Sequence, residues 1–211
     1  MDIHEDHPDL AELAAKGEIV AYFGYGSLVN RRTLRTKFLG IRRASATGWQ
    51  RFWLPRGQDG DMALLSVQPT DDEIVQGVVV YDRAAHLPAV DEREAGYARR
   101  IVDLGRLAVE RPPIADEPVY IYEAHRGALD AAETQSAILQ SYLDAVMQGF
   151  RTLYGEEGLR RFVARTEGFE TAVLQDREQP RYPRAVTLSD GEAALFDRLV
   201  SERGGRFVAP G

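Results

Sequence analysis

Two regimes of hydrophobic spacing divide the chain. Up to about residue 125 the apolar positions come as short dense runs between polar or glycine-bearing breaks; from 130 onward they recur at helical intervals. "EIVAYFG" (18–24) has the β-branched and aromatic density of a buried strand. A glycine turn follows, and Asn30 is placed to cap a short helix, "RRTLRTKF". "ASATGWQRFWLP" predicts one long or bulged strand, and "MALLSVQP" and "EIVQGVVVYD" two more, separated by the turn-like "TDDE". "RAAHLPAVDEREAGY" predicts a helix ending at Gly96. "RRIVDLGRLAVE" and "EPVYIYEA" predict strands on either side of the break "RPPIAD". In "DAAETQSAILQSYLDAVMQGF", Ile138, Leu139, Tyr142, Leu143 and Val146 fall at helical spacing, with Gly149 near the end. "GEEGLRRFVART" predicts another helix and "SDGEAALFDRLVSER" a last one capped by Asp190, with the loop "DREQPRYPR" between them.

Strands, an embedded helix, more strands and then helices do not alternate as a doubly wound sheet requires. The expected fold is therefore α+β, a mixed or antiparallel sheet curled into a small barrel with flanking and C-terminal helices. The 211 residues suit one domain of 18–211, with its core at about 19–125 and a helical extension at about 130–205. Residues 1–17 are expected to form a flexible arm with one helical turn around Leu10 to Lys16.

Composition narrows the chemistry. Apolar residues are 44% and charged residues 28% of the chain, the balance of a soluble globular protein. The net charge of −7, without a basic stretch, argues against a nucleic-acid partner. There is no cysteine, which removes disulfides, thiolate metal sites and cysteine nucleophiles. No apolar run approaches a membrane span and the N-terminus is acidic and polar, so the expected location is cytoplasmic. Of the four histidines, only His4 and His7 are neighbours, His86 and His125 being far off, and no metal site is expected.

Two stretches could carry function. "YFGYGSL" (22–28) has neither the spacing nor the lysine of a phosphate loop, and Val29 stands where a G-x-S-x-G nucleophile turn needs glycine. One reading is a strand-ending turn that uses Gly24 and Gly26 for unusual dihedrals. The other is a nest of unpaired backbone N–H groups, helped by the Ser27 hydroxyl, that favours a carboxylate or other anion. In "VDEREAGYARR", Asp91 and Glu94 stand three apart and share a helical face. Enclosed beside apolar walls, such a carboxylate is suited to moving protons; left in water, it is a solvated acidic face.

Taken together these stretches resemble the γ-glutamylcyclotransferase family with its AIG2-like and ChaC-like relatives. "YFGYGSL" is similar to that family's substrate loop, and "VQGVVVYDRAAHLPAVDEREAGYARR" to its second block, in which the catalytic glutamate falls on Glu94. "GWQRFWLPRG" is similar to a core strand of the ChaC branch, and Tyr142 falls where the family's helix supplies a substrate-contacting tyrosine. Ala95, where many relatives have glycine, and Leu28, where several have asparagine, are the departures.

The resemblance implies an enzyme without metal or organic cofactor that cyclises a γ-glutamyl amide to 5-oxoproline and releases an amine. Glu94 would be the general acid/base, and Tyr22, Tyr25, Gly26, Ser27, Leu28, Tyr97 and Tyr142 would bind substrate, Tyr22 being equally suited to the core. The leaving group is left open among glutathione's dipeptide, an amino acid and a simple amine. Arg177, Arg181, Tyr182 and Arg184 are a candidate lid over an anionic substrate, or a solvated loop. Alternatives on the same scaffold are a non-catalytic binding or regulatory module and a γ-glutamyl transferase or hydrolase; a non-catalytic relative would be expected to lose Glu94.

Overall fold

A computed structural model describes residues 5–34, 37–55, 62–94, 96–111, 118–124 and 136–210. Among these residues the chain is an α+β domain. It has one mixed ten-stranded sheet and four α-helices. The spine is the antiparallel pair of β2 (Gly40–Pro55) and β3 (Met62–Arg83), which run alongside each other for almost their whole length. On its other side β3 carries β1 (Ile19–Gly24), antiparallel from Ile19↔Arg83 to Gly24↔Val78. Strand β1 in turn takes β6 (Val119–Ala124) in parallel, and β6 takes β4 (Tyr97–Val102) antiparallel. All six residues of β1 are buried, as expected of a strand covered on both faces. The described pairings form a branched path, with no bond closing one end on the other.

The long β3 corrects the expected break at "TDDE". The register steps from Thr47↔Ile74 to Trp49↔Pro69, so residues 70–73 stand opposite Gly48 alone. The polar run is an excursion within one strand, and Gly48 at φ +92° absorbs the irregularity on the partner. "RRIVDLGRLAVE" is likewise two strands. The Asp103 carboxylate accepts from the Gly105 N–H at 2.9 Å and holds a 3-10 turn, after which β5 (Leu107–Val109) leaves β4's neighbour and pairs with β2.

After residue 136 the order is β7 (Ala137–Leu139), α3 (Gln140–Ala164), β8 (Thr166–Glu167), β9 (Ala172–Leu174), α4 (Asp190–Glu202) and β10 (Arg206–Val208). Ile138 and Leu139, expected in the helix, are strand residues between β3 and β9, where both faces are apolar. Gly149 does not end α3. The break is at Gly155 (φ +70°, ψ −175°), which divides α3 into the two expected helices. The cap of α4 is Ser189 rather than Asp190: its hydroxyl accepts from the Glu192 N–H while the Glu192 carboxylate accepts from the Ser189 N–H, a complete capping box.

The expected N-terminal arm is packed over the part described. Helix α1 (Leu10–Ala15) buries Leu10, Leu13 and Ala14, and the His7 N–H donates to the Leu39 carbonyl at 2.7 Å. Its apolar triplet has a core to join, which an arm in solvent would lack. Of the short helix expected at 31–38, Arg31–Thr33 is a single 3-10 turn, capped by the Asn30 side chain as predicted, and residues 35 and 36 lie outside the described residues. Helix α2 is Leu87–Arg93 and ends as expected, with Gly96 at φ +99°. His4, Ala95, His125 and the helical start expected at 130–135 lie outside the described residues. No described helix is long and apolar enough to cross a membrane.

Candidate functional site

The glycine turn follows β1 directly. Gly77 of β3 lies so close beneath it that a Cβ there would come to 2.3 Å of the Gly24 carbonyl oxygen. At Gly24 itself a Cβ would meet Leu28, whose side chain folds back over the turn, at 2.8 Å. Helix α3 seals the turn from the other side. Gly149 has no room for a side chain against Val29 and Asn30, and the Asn30 amide donates to the Ala145 carbonyl at 2.8 Å. Residues 27–29 form a 3-10 turn whose first bonded amide is Val29 N–H, donating to the Gly26 carbonyl. The Ser27 and Leu28 amides precede it, where helical turns leave donors without an intrahelical acceptor. Gly26, Ser27 and Leu28 are half-buried, at the lip of the structure rather than inside it.

Tyr142, in the first turn of α3, closes over that lip. A Cβ on Gly26 would sit 3.0 Å from its hydroxyl, so the glycine is what lets this phenol approach the backbone. Tyr25 lies below, 9% exposed, donating its hydroxyl to the Tyr122 carbonyl of β6 at 2.7 Å. The turn between α2 and β4 reaches the same strand. The Tyr97 N–H donates to the Glu94 carbonyl at 2.9 Å, and Tyr97 pairs with Ala124, two residues beyond Tyr122. Glu94 and Tyr97 are both half-buried.

The phenols register that convergence electrostatically. Burial first, then Tyr97, Tyr142 and Glu94, pushes the Tyr25 hydroxyl well above the usual phenol range. Burial, then Tyr182, Tyr97 and Glu94, raises Tyr142, while Arg184 acts in the opposite direction. Both hydroxyls are thus neutral donors at any working pH, beside one carboxylate. Asp91, the other acid of the predicted pair, is engaged elsewhere: it accepts from the Tyr122 hydroxyl and from Arg99, each at 2.6 Å, and so pins α2 to the sheet.

One expected contact does not hold. Tyr22 is 2% exposed, packs edge-on to Phe38 and directs its hydroxyl to Asp82 at 3.4 Å. It belongs to the core. The structure brings Tyr25, Gly26, Ser27, Leu28, Glu94, Tyr97 and Tyr142 to one region, with Leu28 contributing backbone because its side chain is folded away.

The loop between β9 and α4 completes the surroundings of Tyr142. The Tyr182 ring stands 5.0 Å from the Tyr142 ring, nearly edge to face, and the Arg184 guanidinium lies 5.5 Å from the Tyr182 ring centre. Trp53 of β2 flanks Tyr142 at 6.1 Å. The other expected lid residues have different roles. Arg177 is bidentate to Asp144 and also reaches Asp197, and Arg181 is exposed, its N–H donating to Asp176. Asp176 is the residue sequence reasoning missed. Buried, it accepts from the Ser141 N–H and hydroxyl as well, tying the loop to the first turn of α3 beside Tyr142. Among the described residues no group of histidines and acids is arranged to hold a metal ion.

Comparison with known proteins gives the family and the fold. The family model described as "Gamma-glutamyl cyclotransferase, AIG2-like" matches residues 22–141. No curated protein matches the chain. Among solved structures it is similar to a gamma-glutamyl cyclotransferase, with a TM-score of 0.52 and 17% identity over 86% of this chain and 99% of that one. It is similar to the human uncharacterised protein loc79017, with a TM-score of 0.52 and 16% identity over 85% of this chain and 99% of that one. A third, YkqA from Bacillus subtilis, gives a TM-score of 0.50 and 16% identity over 74% of this chain and 59% of its own. At these identities the three describe the fold.

Proposed function

Since the chain belongs to the AIG2-like gamma-glutamyl cyclotransferase family, we propose that it cyclises a γ-glutamyl amide to 5-oxoproline, with Glu94 as the proton carrier. What supports the reading is one convergence. A carboxylate at the end of α2, two high-pKa phenols and the amide-bearing turn at 26–28 share one small region.

The reaction suits such a region because the nucleophile and electrophile belong to one molecule. Holding the glutamyl chain folded, with its α-nitrogen near its γ-carbonyl carbon, supplies much of the acceleration by proximity. The α-nitrogen forms a bond to the γ-carbonyl carbon and the bond from that carbonyl carbon to the leaving nitrogen breaks. The α-ammonium gives up two protons in the course of ring closure and the leaving nitrogen gains two. A carboxylate that accepts each proton and returns it leaves the balance unchanged, which is the role of Glu94. The turn amides at 26–28 and the Tyr142 hydroxyl, itself close to Gly26, are donors suited to the α-carboxylate or to the oxyanion that develops on the γ-carbonyl. Tyr25 and Tyr97 wall the glutamyl portion. The net charge of −7, without a basic stretch, suits a small-molecule substrate rather than a nucleic acid.

The test is direct. Incubation with a panel of γ-glutamyl amino acids, peptides and amines, followed by mass spectrometry, should detect 5-oxoproline from at least one of them. Glutamate released in its place would indicate hydrolysis, and no turnover across the panel would leave a binding module.

A further inference from the structure

The family match ends at residue 141, yet the region around Tyr142 is finished by side chains from beyond it. Tyr182 lays its ring against Tyr142, and its hydroxyl is buried with no hydrogen-bond partner among the described residues. A buried phenol O–H left without an acceptor is costly, and its presence beside a binding region is what a ligand acceptor would explain. Arg184 is half-buried on the Tyr182 ring and makes no ion pair among the described residues. Its neighbour in the same loop shows what an arginine meant for the scaffold looks like here: Arg177 is held by two carboxylates.

The loop is also rigidly seated. Asp176 takes three hydrogen bonds, from Ser141 N–H, Ser141 hydroxyl and Arg181 N–H, and the Tyr182 N–H donates to the Ser141 hydroxyl at 3.2 Å. A cation with no ion pair and a hydroxyl with no acceptor, both judged among the described residues, are therefore presented from a fixed support beside Tyr142. The glutamyl part of the substrate already has the turn amides and the Tyr142 hydroxyl for its carboxylate or oxyanion, and Glu94 to take protons from its α-nitrogen. What the glutamyl part does not use is left for the leaving amine.

Resting on the γ-glutamyl reading above, we propose that Arg184, seated on Tyr182, binds a carboxylate carried by the leaving amine. The preferred substrates are then γ-glutamyl amino acids or peptides rather than γ-glutamyl derivatives of uncharged amines. A guanidinium bonded to a carboxylate makes about twice the contribution of a neutral pair, and a carboxamide of the same shape cannot replace it.

A γ-glutamyl dipeptide and its C-terminal carboxamide, alike except in that charge, are the probes. The wild type should show a kcat/KM about tenfold or more higher for the acid. Arg184→Gln should erase most of that preference, Arg184→Lys should keep part of it, and Tyr182→Phe should weaken it. Calorimetric binding of both compounds to Glu94→Gln reads the same discrimination without turnover. If that binding discriminates through Arg184 but no 5-oxoproline ever forms, the reaction is wrong and this assignment stands. Equal turnover or binding of the two compounds by the wild type, a preference that survives Arg184→Gln, or binding of neither would overturn it. Should Arg184→Gln not fold, the Lys variant decides, with an unchanged preference ratio in both Lys and Phe variants counting against the proposal.

Discussion

The turn at 24–28 and the loop at 176–184 both end against Tyr142, but opposite means hold them there. The turn is specified by absent side chains. Gly24, Gly26, Gly77 and Gly149 each leave space that a neighbouring backbone or side chain fills. The loop is specified by charge, with Asp176 collecting donors and Arg177 bridging Asp144 and Asp197. A close-packed backbone fixes position but tolerates no added volume, whereas a buried charge network fixes position only while every partner remains. The proposed chemistry sits on the first kind of support and the proposed selectivity on the second.

Breaking the turn should have the largest effect. Gly77→Ala puts a carbon 2.3 Å from the Gly24 carbonyl oxygen, a backbone contact that no side-chain rotation relieves. The loss should reach the upper end of the roughly 1–3 kcal/mol typical of overpacking, visible as a large fall in Tm. Breaking the loop comes next. Arg177→Met leaves the buried Asp144, whose carboxyl burial already pushes up against the pull of Arg177, without its cation. Arg177 is partly exposed, so the cost should be about 2 kcal/mol, below the range for fully buried pairs. Adding Asp144→Asn should recover part of it; no recovery would mean that Arg177 acts through packing alone.

A control away from both supports sharpens the contrast. Ser189→Ala removes one half of the α4 capping box and should cost about 1 kcal/mol in chemical denaturation. Burial pushes the Glu192 carboxyl up, but bonds from the Ser189 N–H and hydroxyl outweigh it and hold it below the usual carboxylate range. A carboxylate with a lowered folded-state pKa stabilises above its unfolded pKa, and that stabilisation is lost as pH falls through the folded value. The gap between wild type and Ser189→Ala should accordingly narrow in acid, without affecting turnover at neutral pH.

The two supports also differ in how far sequence reveals them. Glycines between aromatic residues, and acids before a small pair, are local signals: "YFGYGSL" ends a strand and the acids of "VDEREAGY" close a helix, as expected. The role of Asp176 is not local, since two of its three donors, the Ser141 N–H and hydroxyl, lie 35 residues away in α3. Sequence alone does not assign Tyr22 to site or core, because β1 is buried on both faces and alternation does not say which aromatic faces which. The polar "TDDE" was read as a reversal because a wide bulge and a turn draw on the same residues. Ile138 and Leu139 fit a helical period by chance of adjacency, being strand residues immediately before the helix.

Glu94 carries the central claim, and single-turnover 5-oxoproline formation by Glu94→Gln, measured alongside its Tm and its affinity for substrate, tests it most directly. The amide keeps the shape of the acid but neither takes up nor returns a proton. The rate should fall at least about a hundredfold while Tm and affinity stay near those of the wild type. A variant that forms 5-oxoproline at the wild-type rate, or that loses rate only because it no longer folds, would contradict the account.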